Sequence, residues 1–120
     1  MLVFLYGTSL PGQPDHVWVA GLPAARATVR GSLWRSRRNR PALVPDPEGR
    51  AIRGVVIDVD DARLAVLDTL ERAGGGELAR RLVRVSQNLR SAGAEAWVLT
   101  AAEARAHGYR PIKGDEWTGR

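Results

Sequence analysis

Two stretches of the chain have residue types and spacings suited to chemistry. The first is Glu71, which lies seven residues after Leu64 and four after Leu67 in Ala62 to Arg72, the segment with the clearest helical periodicity. A carboxylate on that stripe is unexpected, because burying an ionised glutamate costs several kcal/mol unless it is paired or hydrogen-bonded. Such a group has either a partner or a use. The use would be general acid/base work, and the plain alternative is a side chain that swings to solvent or pairs with Arg72 or Arg80. The second stretch is Tyr6-Gly7-Thr8-Ser9, a strand end running into a glycine turn. Successive backbone N–H groups in such a turn can converge on an anion such as a carboxylate or phosphate.

A frame is needed that brings a helix end and a strand end together. Leu2 to Tyr6 is a short apolar run stopped by a Gly-Thr-Ser turn, which predicts a buried strand. From Ala27 to Arg35, Ala27, Val29, Gly31 and Leu33 alternate with Thr28, Arg30 and Ser32, the pattern of a half-buried strand. Pro41 to Val44 followed by Pro45-Asp46-Pro47-Glu48-Gly49 predicts a short strand and a tight turn, and the β-branched run Ile52 to Val59 is expected to pair back against it as an antiparallel meander.

Asp60 or Asp61 offers an N-cap to the helix over Ala62 to Arg72, and Gly74-Gly75-Gly76 ends it. Two more strands are expected at Arg81 to Ser86 and Ala94 to Thr100. Ala101 to His107 has helix-compatible composition but no apolar stripe, so a loop or single turn is expected there. This order of elements predicts an α+β fold, a small mixed β-barrel with one main flanking helix.

At 120 residues the chain has material for one hydrophobic core, so one domain over 1–120 is expected. With no cysteine there is no disulfide framework, thiolate metal site or cysteine nucleophile. The N-terminal apolar run lacks a basic flank and stops at Gly7 and Pro11, unlike a signal peptide or a membrane span, so a cytoplasmic protein is expected. Arginine-rich, lysine-poor usage, with Lys113 alone, suits a GC-rich bacterial genome.

The net charge of +5 is densest at Arg35, Arg37, Arg38 and Arg40. This run could hold phosphate or an acidic substrate, but a solvated hairpin tip is the expectation. Nucleic-acid binding is not expected, since only Trp34 lies beside the run as an aromatic platform and no nucleic-acid motif is present. Of the tryptophans, Trp97 reads as core, while Trp18 and Trp117 are open to core or pocket-wall roles. His16 and His107 sit in loop-like contexts and are given no catalytic role.

In order along the chain, Phe4-Leu5-Tyr6-Gly7-Thr8 with Pro11-Gly12, Val29-Arg30-Gly31-Ser32-Leu33-Trp34, Pro41-Ala42-Leu43-Val44, Gly54-Val55-Val56-Ile57, Leu67-Asp68-Thr69-Leu70-Glu71 and Gly114-Asp115-Glu116-Trp117 resemble the motifs of the γ-glutamyl cyclotransferase-like family, within its bacterial γ-glutamylamine and plant avirulence-induced-like branch. The resemblance implies a mixed barrel in which the loop Tyr6, Gly7, Thr8 and Ser9 binds a substrate carboxylate and Glu71 serves as general acid/base. It further implies conversion of a small-molecule γ-glutamyl amine or amino acid to 5-oxoproline and free amine, with no metal or organic cofactor.

Departures from the family pattern are Ser9 and Leu10 after the Tyr-Gly-Thr, Arg72 where glycine usually follows the glutamate, Trp34 in place of tyrosine, and no tyrosine in Leu78 to Arg81. They motivate an alternative, a catalytically inactive small-molecule binding module on the same fold. Neither the leaving amine nor the oligomeric state is written in these residues.

Overall fold

The computed structural model describes residues 1–119. Its strands are β1 (Leu2–Leu5), β2 (Ala24–Arg35), β3 (Pro41–Pro45), β4 (Arg50–Asp58), β5 (Ala79–Gln87), β6 (Arg90–Val98) and β7 (Arg110–Pro111), with helices α1 (Asp61–Ala73) and α2 (Ala101–Ala106). Antiparallel pairs β1–β4, β4–β2 and β2–β3 are joined through β6, which runs parallel to both β3 and β1. These pairings close a five-stranded mixed barrel. β5 lies antiparallel along β6 and reaches β2 at Thr28–Ser86, and β7 covers the end of β2.

The alternation in β2 does what its period predicts. Ala27, Val29 and Leu33 point inward with Phe4, Leu43 and Ile52 to fill the barrel, and Trp117 from the C-terminal segment joins them. α1 begins at Asp60, whose carboxylate accepts from the Arg63 amide at 2.8 Å. It sets Leu64 and Leu67 against Val3, Leu5 and Ile57 on the outside of the barrel. Burial of each leucine contributes roughly 1.5–3 kcal/mol. Trp97 is part of the same layer, and its indole N–H donates to Asp68 at 2.9 Å, tying β6 to α1. No helix among the described residues is long and apolar enough to cross a membrane.

Two expectations are corrected. β3 and β4 do not form a meander: β3 pairs with residues 31–35 of β2 and β4 with residues 24–31, on opposite edges of it. The turn after Pro45 carries the chain across β2 at Gly31, where both Pro45 and Arg50 find their partner. The crossing is tight, with a Cβ on Gly49 falling 2.7 Å from the Gly31 nitrogen and a Cβ on Gly31 running into the Val44 carbonyl oxygen. A strand of twelve residues, about 40 Å long, has room to give its two halves different neighbours.

The second correction is α2, a six-residue helix over Ala101–Ala106 where a loop or single turn is expected. A capping box closes it: Thr100 Oγ1 accepts from the Glu103 amide at 3.1 Å, and Glu103 accepts from the Thr100 amide at 2.8 Å. Ala104 and Tyr109 then bury it against Trp34 and Leu99, so a third packing layer stands where an apolar stripe was missing.

Candidate active site

Where β1 ends, the chain turns at Gly7 and passes against Pro41 so closely that a Cβ on Gly7 would lie 2.6 Å from the proline Cγ. This contact puts the Gly7–Ser9 loop beside the start of β3 and opposite the C-terminal end of α1. Between them lies a cavity of about 60 Å³, lined by Tyr6 to Ser9, Arg40, Glu71, Glu77, Trp97 and Tyr109 among others. Glu71 and the Gly7, Thr8 and Ser9 residues thus share one small space.

The loop is fixed from its far side. Thr8 Oγ1 donates to Asp15 at 2.7 Å, the Asp15 amide donates to the Thr8 carbonyl at 2.8 Å, and His16 Nδ1 lies 2.9 Å from the Ser9 carbonyl oxygen. The amides of Gly7, Thr8 and Ser9 donate to no partner among the described residues, which leaves them available to an anion in the cavity. Tyr6 plays a different part. Its hydroxyl donates to the Trp97 carbonyl at 2.6 Å and accepts from the Leu43 amide at 2.9 Å. Burial holds that hydroxyl well above the usual phenol range. Tyr6 therefore borders the cavity with its hydroxyl already committed to β3 and β6.

Glu71 is half-buried on the last turn of α1, and its carboxyl makes no hydrogen bond or ion pair among the described residues, although its carbonyl accepts from the Gly76 amide at 3.1 Å. Arg80 pairs instead with Asp68 at 3.7 Å, and Arg72 is exposed and reaches toward Thr69. Burial pushes the Glu71 carboxyl above the ordinary carboxylate range, the Arg40 guanidinium offsets part of the rise, and the Asp15 and Glu77 carboxylates add to it. A carboxyl so placed is suited to accept a proton and return it.

Three further residues line the cavity, Arg40, Glu77 and Tyr109, and of these the sequence marks Arg40 alone, as a member of the basic run. Arg40 belongs to the basic run, of which Arg37 and Arg38 are exposed as a hairpin tip should be. Arg40 instead folds over the end of α1 and fills the space where a Cβ on Gly74 would stand. Arg35 also turns away from solvent, with its guanidinium 5.1 Å from the centre of the Trp117 ring. Glu77 follows the glycine run, and its Oε2 lies 2.9 Å from His107 Nδ1 while its Oε1 accepts from the Tyr109 hydroxyl at 3.3 Å. Burial, helped by the charges of Glu77 and Glu71, pushes the Tyr109 phenol up to about 12. A tyrosine hydroxyl thus reaches the cavity from the loop after α2, although Leu78 to Arg81 supply none.

A family model described as "Gamma-glutamyl cyclotransferase, AIG2-like" matches residues 3–119. A curated Drosophila melanogaster protein named "Putative gamma-glutamylcyclotransferase CG2811" is 35% identical over 79 residues, covering 58% of this chain and 50% of that protein, so the chain spans half the length of that relative. Among solved structures, the crystal structure of an AIG2-like protein from Mus musculus superposes with a TM-score of 0.74 at 23% identity, over 98% of this chain and 87% of that one. YkqA from Bacillus subtilis superposes with a TM-score of 0.71 at 21% identity, over 97% of this chain and 39% of that one.

Proposed function

Because the chain belongs to the gamma-glutamyl cyclotransferase, AIG2-like family, we propose that it is a cyclotransferase-type enzyme that converts a γ-glutamyl amide to 5-oxoproline and a free amine. The observation that carries this reading is the shared cavity: an unpartnered, desolvated Glu71 and the undonated amides of Gly7, Thr8 and Ser9 line the same 60 Å³. In this reading the glutamyl head of a substrate sits in this half-open cavity, with the departing amine leading out of its mouth.

In this reading the substrate α-carboxylate lies against the Gly7–Ser9 amides with Arg40 nearby, which holds the head in a folded conformer. Glu71, in its ionised form, takes a proton from the α-ammonium. The freed nitrogen lone pair attacks the γ-carbonyl carbon, forming the ring C–N bond and placing charge on the carbonyl oxygen. As that tetrahedral centre collapses, the bond to the leaving nitrogen breaks and Glu71 returns a proton to it. The second proton on the ring nitrogen passes to solvent or leaving amine, so 5-oxoproline and amine are formed with no oxidant, reductant or water consumed.

The test is release of 5-oxoproline from γ-glutamyl amino acids, γ-glutamyl-ε-lysine and γ-glutamyl amines. Glu71→Gln is expected to lower kcat by roughly 10²–10⁴-fold, the usual worth of a positioned acid/base group. Undiminished turnover in the variant would remove Glu71 from the reaction. The second reading, a pocket that binds without turnover, draws on the departures at Ser9 and Arg72. It requires calorimetric binding of the same amides with no 5-oxoproline formed by the native chain.

A further inference from the structure

The reaction above leaves one charged group of the cavity without a task. Arg40, Glu71 and Glu77 are its charged lining residues. In the glutamyl head, the α-carboxylate matches Arg40 and the loop amides, and Glu71 moves protons. Glu77 remains, and it is built differently from the other paired carboxylates of the protein. Asp68, Asp115, Glu116 and Glu103 each face an arginine, and Asp58 the N-terminal ammonium, cations that balance their charge. Glu77 is held by a phenol hydroxyl and an imidazole nitrogen, one to each oxygen, and both come from the short loop that follows α2.

A hydroxyl donor orients a carboxylate without cancelling its charge, and a neutral imidazole with its proton on Nδ1 does the same. The side chain keeps a third of its surface exposed, so the charge remains accessible. Tyr109, having turned its proton to Glu77, has lone pairs left to offer to a second donor. A carboxylate and a phenol oxygen braced in this way make a site for an ammonium ion. Because Glu77 lines the same cavity as Glu71, that ammonium is taken as the one whose proton Glu71 removes.

We propose that Glu77, braced by His107 and Tyr109, binds the α-ammonium group of the glutamyl head and so positions the attacking nitrogen, while Glu71 acts on its proton. The inference rests on the cyclotransferase reading for the identity of the head. It divides the two cavity carboxylates into one that holds the cation and one that moves its proton. Arg40 would repel an ammonium on its own, but the adjacent α-carboxylate occupies it.

The experiment compares calorimetric binding of two ligands that differ only in the α-amino group, γ-glutamyl-n-butylamide and N-butylglutaramate. It is done in the Glu71→Gln protein, where Glu77 is the one carboxylate left in the cavity lining. The amino ligand is expected to bind roughly ten-fold more tightly, and adding Glu77→Gln should bring the two affinities together. Tyr109→Phe, which keeps the ring that packs α2, should narrow the difference without abolishing it, with thermal unfolding run on each variant to confirm folding. A preference that survives Glu77→Gln overturns the assignment and leaves the catalytic reading standing. Binding with the expected preference but no 5-oxoproline from the native chain would uphold the ammonium site and sink the catalytic reading, and binding of neither ligand would overturn both.

Discussion

Glu71 occupies a position where chemistry and stability pull in opposite directions. Its carboxyl is raised above the ordinary value of 4.5, first by burial, so the folded state holds this proton more tightly than the unfolded chain does. Between the unfolded and folded values the native state therefore binds more protons, and stability falls as pH rises through that window. Above the folded value the whole cost of a desolvated carboxylate stands; below the unfolded value none of it does. Replacing Glu71 with glutamine keeps the shape and removes the charge. The melting temperature of Glu71→Gln should exceed that of the native chain by a few degrees at pH 7.5, and the gain should disappear as pH is lowered below 4.5. A loss at pH 7.5 would show that the carboxylate has a compensating partner, and a gain that is the same at every pH would show that its ionisation is not the cause. That Glu71 stands out at all is legible in the sequence, because helical spacing exposes a misplaced charge. Arg40, Glu77 and Tyr109 are not legible in that way. They lie in three separate connecting segments, and their meeting depends on how the barrel closes. The sole local sign was Arg40 itself, the last member of a basic run that borders a strand rather than a tip.

At the scale of elements, local patterns identify strands well and their partners poorly. The alternation in β2 and the β-branched run in β4 follow from which faces are buried. The turn Pro45 to Gly49 has the chemistry of a hairpin and closes with the Gly49 amide donating to the Asp46 carbonyl at 2.9 Å, but the Asp46 amide donates to the Arg30 carbonyl of β2 at 3.0 Å. What marks the crossing is Gly31 opposite Gly49, and in the sequence Gly31 passes as one more inward position of an alternating strand. α2 shows the reverse case. Its Thr-x-x-Glu capping signal is present in the sequence, yet a six-residue segment without an apolar stripe gives too few helical bonds to be expected alone. Arg81 adds to the cap by gripping both Glu103 oxygens at 2.9 and 3.0 Å, which together with the Thr100 amide holds the Glu103 carboxyl at about 2. Because α2 delivers His107 and Tyr109 to the cavity, its cap has a reach beyond itself. Thr100→Ala is expected to cost about 1 kcal/mol, the usual loss for an N-cap, read as a lower urea midpoint at unchanged slope. Stability equal to the native chain would mean that tertiary packing alone keeps α2 folded.

The whole molecule depends on a seam that backbone pairing closes only thinly. The antiparallel part of the barrel is extensive, with β2 and β4 in register over eight residue pairs. Its closure through β6 is slight: one pair with β1, Val3 with Glu95, and one with β3, Leu43 with Val98. Tyr6 crosses that seam. Coming from the end of β1, its hydroxyl binds the Leu43 amide of β3 and the Trp97 carbonyl of β6, joining three strands at one buried oxygen. The residue that opens the cavity loop is thus also the clasp of the barrel, and this explains why its hydroxyl is unavailable to a substrate. Tyr6→Phe keeps the ring in the core and leaves a buried amide and a buried carbonyl short of a partner, for a loss of about 2–4 kcal/mol. Hydrogen exchange distinguishes this role from a general loss of packing. The Leu43 amide should lose far more protection in Tyr6→Phe than the amides of the β2–β4 ladder, since opening the seam does not require unpairing the antiparallel strands. Equal losses across both regions would show that the barrel opens as one unit and that the Tyr6 hydroxyl is no special closure.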